Sequence, residues 1–331
     1  MQIIRFGVIG TNWITEALIA AASDSGEFAL TAVYSRTEER AREFAAKHGI
    51  RHIFTDLTEM AASAELDAVY IASPNCYHAE QAIIFMDHGK HVLCEKPIAS
   101  NTYELRIMIE AARRNGVLLM EALKSTLLPN FRAIQENLHK IGPIRRYFAS
   151  YCQYSSRYDA YKEGTVLNAF NPKFSNGALM DLGVYCIYPL VVLLGEPHRI
   201  QANAVMLDSG VDGQGSVLLQ YEQFDAAVLY SKIANSYLPA EIQGENGTIR
   251  IDRINIPTKV ELQYRDGTIE DLTRTQDKDS MFYEVQEFID LIGRGQKESS
   301  TNSWANSLKA MAIMDETRRQ IRLVYPADDR N

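Results

Sequence analysis

The stretch IIRFGVIGTNWIT, residues 3–15, decides the fold of the first part of the chain. It begins with a run of apolar and β-branched residues that is typical of a buried strand, and Gly10 closes this run. A helical pattern follows at about residues 13–24. A tight turn from a strand into a helix directs free backbone N–H groups and the positive end of the helix dipole toward an anion. The stretch therefore predicts an anion-binding turn at the start of an α/β domain.

Outward from this stretch, strand and helix patterns alternate as far as residue 123. Further strand patterns lie at 29–35, 68–73, 91–96 and 117–123, and helical patterns separate them at 37–49, 77–88 and 101–115. This alternation is typical of crossover units that form a parallel sheet covered on both faces. We predict an α/β fold in which residues 1–123 form a Rossmann dinucleotide-binding domain with a doubly wound parallel sheet.

After about residue 124 the pattern changes to alternating strands separated by turn signals such as Asn246-Gly247 and Asp266-Gly267. One apolar helix interrupts them at 177–194, and two helices close the chain at about 279–293 and 303–320. Residues 124–331 are therefore predicted to form an α+β substrate-binding domain with a large, mostly antiparallel open sheet.

Composition narrows the classes of function. The 331 residues carry a net charge of −8, which argues against nucleic-acid or anionic-membrane partners because phosphate neutralisation requires clustered Lys and Arg. No apolar run approaches the roughly 18 to 20 residues of a membrane span, and the first residues show no secretory signal. The four scattered cysteines form no CxxC pair, and no ligand cluster with metal spacing is present. We expect a cytoplasmic protein without a metal.

The predicted anion-binding turn departs from the dinucleotide fingerprint, which has Gly at its first, third and sixth positions. Only Gly10 is kept, and Asn12 and Thr15 occupy the other two positions. Asn is among the residues that best tolerate a left-handed backbone, so the turn can survive. Thr11, Trp13 and Ile14 complete the predicted cofactor-binding turn. The alternative is an ordinary strand-to-helix turn.

The end of the second strand bears on the choice of cofactor. An Asp or Glu there would bind the ribose hydroxyls of NAD, but this chain has Ser35-Arg36-Thr37, with Arg40 one helical turn further on. Guanidinium groups and hydroxyls are suited to a 2′-phosphate. The sequence favours NADP over NAD, and the alternative is a solvated arginine at a helix start.

Three further segments, taken together, resemble the Gfo/Idh/MocA family of oxidoreductases. They are the stretch Ala72-Ser73-Pro74-Asn75 with His78, the motif Glu95-Lys96-Pro97, and the stretch from Asn176 to Tyr185 that reads NGALMDLGVY. Tyr185 resembles the branch of the family that contains glucose–fructose oxidoreductase and dimeric dihydrodiol dehydrogenase.

The resemblance implies the catalytic residues Lys96, Asp181 and Tyr185. In this assignment Tyr185 exchanges the hydroxyl proton, Lys96 polarises the reacting oxygen and favours the phenolate, and Asp181 orients the substrate or relays the proton. Lys96 is also predicted at the carboxyl end of a parallel strand, where open α/β sheets bind ligands, and Pro97 could be cis. The structural alternatives are a surface lysine, an aspartate that anchors a helix and a core tyrosine.

The full set of residues that we assign to cofactor binding joins the turn, the second strand end and the family motifs. It consists of Gly10, Thr11, Asn12, Trp13, Ile14, Ser35, Arg36, Arg40, Ser73, Pro74, Asn75, His78, Glu95, Lys96 and Glu121. His78 could instead cap a helix or be solvated. Thr126 stands where many relatives carry an arginine, and Lys124 could replace that charge.

The expected reaction is a reversible hydride transfer between NADP, or NAD, and a carbinol carbon of a sugar, a sugar-derived compound or a cyclic diol. Two alternatives stay open: a catalytically inactive NAD(P)-binding sensor, and a reductase that acts on a carbon–carbon or carbon–nitrogen double bond. The resemblance also implies a homodimer or a higher homo-oligomer formed through the large sheet.

Overall fold

A computed structural model describes residues 3–330 of the chain, which divide into two compact units. The first unit contains the residues up to Leu123 together with Lys278–Trp304, and the second contains Lys124–Asp277 together with the residues from Ala305 onward. We had placed residues 278–304 in the second domain. They belong to the first unit because the Trp304 indole N–H donates to the Leu119 carbonyl (3.0 Å) and Phe288 packs on Phe6, with ring centroids 5.7 Å apart.

The first unit is built on a six-stranded parallel sheet with the order β3-β2-β1-β4-β5-β6. The strands are β1 (Ile4–Ile9), β2 (Phe28–Tyr34), β3 (His52–Phe54), β4 (Ala68–Ile71), β5 (His91–Glu95) and β6 (Leu119–Ala122). The connecting helices are α1 (Trp13–Ala22), α2 (Glu38–His48), α3 (Leu57–Ala62), α4 (His78–Asp87) and α5 (Thr102–Asn115). This is the predicted doubly wound order, with the short β3 and α3 as additions that the sequence patterns missed.

The ends of the helices in this unit follow from local sequence. Helix α5 begins at Asn101, whose side chain accepts the Glu104 N–H (2.9 Å), and ends at Gly116, whose φ of +62° lies in the left-handed region. Helix α2 likewise ends at Gly49, with φ +69°. Both stops are the glycines that the sequence indicated.

The second unit contains an eight-stranded sheet with the order β14-β13-β12-β11-β7-β10-β9-β8. Its strands are β7 (Ile144–Cys152), β8 (Arg199–Met206), β9 (Asp212–Gln220), β10 (Asp225–Ser231), β11 (Ala240–Gly244), β12 (Gly247–Ile251), β13 (Val260–Tyr264) and β14 (Ile269–Asp271). Every neighbouring pair is antiparallel except β7 and β10, which run parallel. The predicted mostly antiparallel sheet is confirmed.

The remaining helices are α6 (Pro129–Asn137), α7 (Tyr158–Lys162), α8 (Val184–Leu194), α9 (Phe282–Gly293, in the first unit) and α10 (Trp304–Ile321). Helix α8 packs against β7 and β10 and fills the core of the second unit. By length and composition alone, Pro172–Leu194 could cross a membrane. However, 72% of its apolar window is buried inside the protein, as expected of a core helix.

Candidate active site

The predicted anion-binding turn is closed around Gly10. Its φ is +103°, and a Cβ atom there would lie 2.7 Å from the carbonyl oxygen of Ala72, so no other residue fits without moving the backbone. The Asn12 amide also donates to this Ala72 oxygen, at 2.8 Å. The first fingerprint glycine therefore has a steric reason, namely the close approach of the turn to the end of β4.

The turn survives at Asn12, but not through a left-handed backbone. Asn12 has φ −106° and is extended, not left-handed, because it is the N-cap of α1. Its side-chain oxygen accepts the N–H groups of Ile14 (3.1 Å) and Thr15 (3.2 Å). Thr15, at the third glycine position, is fully buried. The turn thus survives through a cap, and an anion there would meet a helix start whose second and third N–H groups already have a partner.

Two arginines lie exposed beyond the end of β2. The Arg40 Nε donates to Thr11 Oγ1 at 2.9 Å, which brings the guanidinium to the anion-binding turn, whereas Arg36 has no such contact among the described hydrogen bonds. Ser35 is buried at the strand end. Of the residues predicted to hold a 2′-phosphate, Arg40 is the one that the structure links to the turn.

Lys96 follows β5, and the peptide bond between Lys96 and Pro97 is cis, as the motif allowed. Within residues 92–100, Lys96 is the one residue that is not buried. The preceding Glu95 is buried; its carboxylate accepts the Tyr70 hydroxyl (2.5 Å) and the Lys96 N–H (3.2 Å). A buried framework thus presents one accessible ammonium-bearing side chain at the carboxyl edge of the parallel sheet.

His78 belongs to this framework and has neither of the two roles that the sequence left as alternatives. It is completely buried, with Nδ1 3.0 Å from the Pro97 carbonyl oxygen and Nε2 2.9 Å from that of Ser73. Burial lowers the pKa of the imidazole, and a neutral ring has one N–H to donate. His78 therefore lies between the loop after β4 and the Lys96–Pro97 segment and donates to one of these two carbonyl oxygens.

Glu121 has a comparable place under the same loop. Its carboxylate is 2% exposed and accepts the Ile98 N–H at 3.1 Å. Of the residues that we assign to cofactor binding, His78, Glu95 and Glu121 are buried and contact the backbone of this loop. Pro74 and Asn75 are only partly buried, as is Ser73, whose hydroxyl donates to Gln81 (2.7 Å).

Asp181 and Tyr185, in the second unit, differ from the residues around them because they are not buried. Between residues 177 and 191 every residue is buried except these two. The segment was predicted as one regular helix, but Leu179–Gly183 forms a π-turn and the α-helix begins at Val184. Tyr185 packs edge-on against Tyr151, with ring centroids 5.5 Å apart. Tyr185 is therefore not a core tyrosine.

The N-terminus of this segment is anchored by Asp212, a residue that the sequence patterns did not indicate. Its fully buried carboxylate accepts the N–H groups of Ala178 (3.1 Å) and Leu179 (2.7 Å). Burial raises the pKa of Asp212 to about 6 against the opposing effect of these hydrogen bonds. Asp212, and not Asp181, therefore caps the N-terminus of this segment.

Lys232 is a second residue that the patterns missed. Its ammonium lies 2.8 Å from the carboxylate of Asp181, and the residue is 2% exposed. Thr126, which carries no charge, is also buried, whereas Lys124 is partly accessible. Among residues 3–330, no group of three or more His, Cys, Asp or Glu side chains is arranged to hold a metal ion.

Comparison with known proteins fits this geometry. Residues 4–123 match the oxidoreductase family described by its NAD-binding Rossmann fold, and residues 132–250 match the GFO/IDH/MocA C-terminal domain. The chain belongs to the Gfo/Idh/MocA family. It is thus an oxidoreductase with an NAD-binding domain, and the resemblance read from the motifs is confirmed.

Three relatives cover almost the whole chain. The scyllo-inositol 2-dehydrogenase (NADP(+)) IolU of Bacillus subtilis is 60% identical over 325 residues, which are 98% of this chain and 99% of the relative. A trans-1,2-dihydrobenzene-1,2-diol dehydrogenase of Danio rerio is 34% identical, covering 98% and 99%. A solved structure of the 3-ketoreductase KijD10 from Actinomadura kijaniata, in complex with TDP-benzene and NADP, has a TM-score of 0.81 at 25% identity, covering 98% and 99%.

Proposed function

We propose that this protein is an NADP-preferring dehydrogenase that oxidises one secondary alcohol of a cyclic polyol, with scyllo-inositol as the first substrate to test. Support comes from the relative that shares 60% identity over nearly the full length and is named for this reaction. The chain itself supplies the observation that carries the proposal. Lys96, Asp181 and Tyr185 are each accessible within a segment that is otherwise buried.

The structure fits a bound dinucleotide. The close approach of Gly10 to Ala72 leaves the turn without a side chain at its tightest point, and Arg40 extends from α2 to Thr11 in the same turn. A helix N-terminus and a guanidinium both attract phosphate. When bound, a nicotinamide dinucleotide supplies the hydride acceptor or donor, and the protein supplies placement and electrostatics.

In this proposal Tyr185, Lys96 and Asp181 have different roles toward the substrate. Tyr185 accepts the proton of the substrate hydroxyl, and the Lys96 ammonium stabilises the negative charge on the reacting substrate oxygen and on the Tyr185 oxygen. Asp181 accepts a hydrogen bond from a substrate hydroxyl and so fixes the orientation of the ring. Glu95, Glu121 and His78 hold the loop that carries Lys96, as described above.

The test is an initial-rate assay of nicotinamide absorbance with NADP⁺ or NAD⁺ and a panel of inositols, sugars and a trans-dihydrodiol. We expect turnover of scyllo-inositol with NADP⁺ and a fall in kcat of about 10²- to 10⁴-fold in Tyr185→Phe, since general acid–base catalysis contributes about that factor. Energy transfer from the exposed Trp13 to NADPH reports binding independently of turnover. The control is Tyr264→Phe, because Tyr264 is bound to Glu270 at the end of the large sheet and should not alter kcat.

The same experiment decides between the alternatives. Tight NADPH binding without turnover of any alcohol would refute the proposal in favour of a sensor. Activity toward a double bond that survives in Tyr185→Phe would instead favour a reductase of carbon–carbon or carbon–nitrogen bonds.

We also propose a cytoplasmic homodimer that forms through the open face of the large sheet. Leu218 (56% exposed) is paired with Ala227 on that face, and Val205 (48% exposed) and Leu229 lie on the same face opposite Gln214 and Ser216. An exposed apolar patch of this kind favours a protein partner. The four cysteines are all free thiols, which is consistent with a reducing compartment.

A further inference from the structure

The buried ammonium of Lys232 is the feature of the second unit that the proposed mechanism leaves unused. Lys232 directly follows β10, and its backbone N–H donates to the Gly213 carbonyl at 2.8 Å. The side chain is 3% exposed, whereas that of its partner Asp181 is 36% exposed. One end of this ion pair is therefore accessible, and the other is enclosed in the protein.

The position of the Lys232 ammonium is fixed by several groups. It lies 2.8 Å from Asp181 Oδ2, donates to the Ala169 carbonyl at 3.0 Å and sits 5.0 Å from the centre of the Phe170 ring. The buried carboxylate of Asp212, on β9, also interacts electrostatically with it. A lysine enclosed in this way is costly unless its charge is balanced, and an ionised Asp181 carboxylate at 2.8 Å balances it at the shortest distance.

We propose that Lys232 is a positioning residue that keeps Asp181 ionised and in one orientation. Asp181 then acts as a fixed anionic acceptor for a substrate hydroxyl and does not relay the proton. A relay would require Asp181 to take up and release a proton during each turnover, and an ammonium at 2.8 Å disfavours the protonated carboxyl. Lys232 itself cannot reach the substrate, since it is enclosed. The role of Asp181 toward substrate rests on the proposed function, whereas the ion pair does not.

The kinetic test compares Lys232→Met with the wild type, using scyllo-inositol and NADP⁺ as the probe pair. Met keeps the length of the side chain and removes its charge. We expect kcat/KM to fall about 10²-fold, because a loosened catalytic contact costs about that much. We also expect the acidic limb of the pH profile to move up by about one to three pH units, since Asp181 loses an opposite charge. The other titratable side chains on the neighbouring elements, Asp212 on β9, Tyr230 on β10 and Tyr185 on α8, are retained in this variant. Because Lys232 also lowers the pKa of Asp212, the acidic limb is measured in Asp181→Asn as well: a limb that belongs to Asp181 is lost there, whereas one that belongs to Asp212 persists.

The matched control is Lys162→Met. Lys162 pairs with Asp159 at 2.7 Å and also faces aromatic rings, but its side chain is 53% exposed. Removal of this exposed pair should leave the pH profile unchanged. A folded Lys232→Met whose acidic limb stays in place would overturn the positioning role, even if its kcat were lower.

A second measurement does not depend on activity. Urea midpoints of Lys232→Met, Asp181→Asn and the double variant give the coupling between the two side chains. We expect Lys232→Met to lower the midpoint and the double variant to regain part of that loss, because the uncompensated carboxylate is then gone. Additive shifts would overturn the ion pair. If the two substitutions are coupled in urea but the wild type does not oxidise scyllo-inositol, the proposed function is refuted and the ion pair remains supported.

Discussion

The most direct test of how the second unit holds its accessible residues is the substitution Gly177→Ala. Gly177 precedes the π-turn that carries Asp181, and its φ is +151°. A Cβ atom at this position would lie 2.0 Å from Asp212 Oδ1, which is the oxygen that accepts the Ala178 N–H. The new methyl group would therefore displace the carboxylate that caps the segment.

The cost has two parts that can be separated. An alanine at this φ costs about 1–3 kcal/mol of backbone strain. Displacement of Asp212 also weakens two hydrogen bonds to a charged acceptor, each worth about 1.5–3 kcal/mol. We expect Gly177→Ala to lower the free energy of unfolding of the second unit by about 4–9 kcal/mol. The control is Gly164→Ala, which shares the strain at φ +91° but meets no atom within 4 Å. We expect it to cost about 1–3 kcal/mol.

Urea unfolding measured by circular dichroism gives the two losses, and hydrogen exchange of the Ala178 and Leu179 amides locates them. These amides should exchange faster in Gly177→Ala and remain protected in Gly164→Ala. Because Asp181 donates its N–H to the Gly177 carbonyl (3.2 Å), kcat/KM should fall only in the first variant. Equal stability losses in the two variants would refute the argument that Asp212 holds this turn.

Two further predictions concern the first unit. Arg40→Ala should raise KM for NADP⁺ about 10- to 100-fold, as expected for a lost charged hydrogen bond, with little change in KM for NAD⁺. The control is Arg42→Ala, which removes an exposed ion pair with Glu38 on the same helix. An equal rise in KM for both cofactors would contradict the assignment of Arg40. His91 accepts the Leu118 N–H (2.9 Å), and burial lowers the pKa of its imidazole to about 4. The native state therefore binds fewer protons than the unfolded state between about pH 4 and 6.5. The contribution of neutral His91 to stability is lost as the pH falls through that window. Between pH 7 and 5 the wild type should therefore lose about 2 kcal/mol more than His91→Asn in urea titrations, and parallel pH curves would show that His91 is not responsible.

The sequence was most informative where one local pattern determines one element. Strands that alternate with helices predicted the parallel sheet, and Gly49 and Gly116 predicted helix ends, because these features depend on neighbouring residues. Residues 278–304 could not be assigned in this way, since their place depends on contacts such as that of Trp304 with Leu119, far apart in the chain. The part that Asn12 plays in the turn could not be determined from the sequence, because its residue type suits both a left-handed turn and an N-cap.

The candidate site shows the same division between local and distant information. Asp181 and Tyr185 could be chosen from the sequence because polar residues in an apolar helix require an explanation, and the structure shows that they alone are accessible there. Lys232 and Asp212 gave no such signal. Asp212 begins β9 and Lys232 directly follows β10, at strand ends where a charged residue ordinarily faces solvent, yet both are buried against a segment more than thirty residues away along the chain. A charged side chain supports the structure in this way only when residues far away in the chain bury it and pair with it. The residues that present a site can therefore be found by local patterns, whereas the residues that hold it in place require the fold.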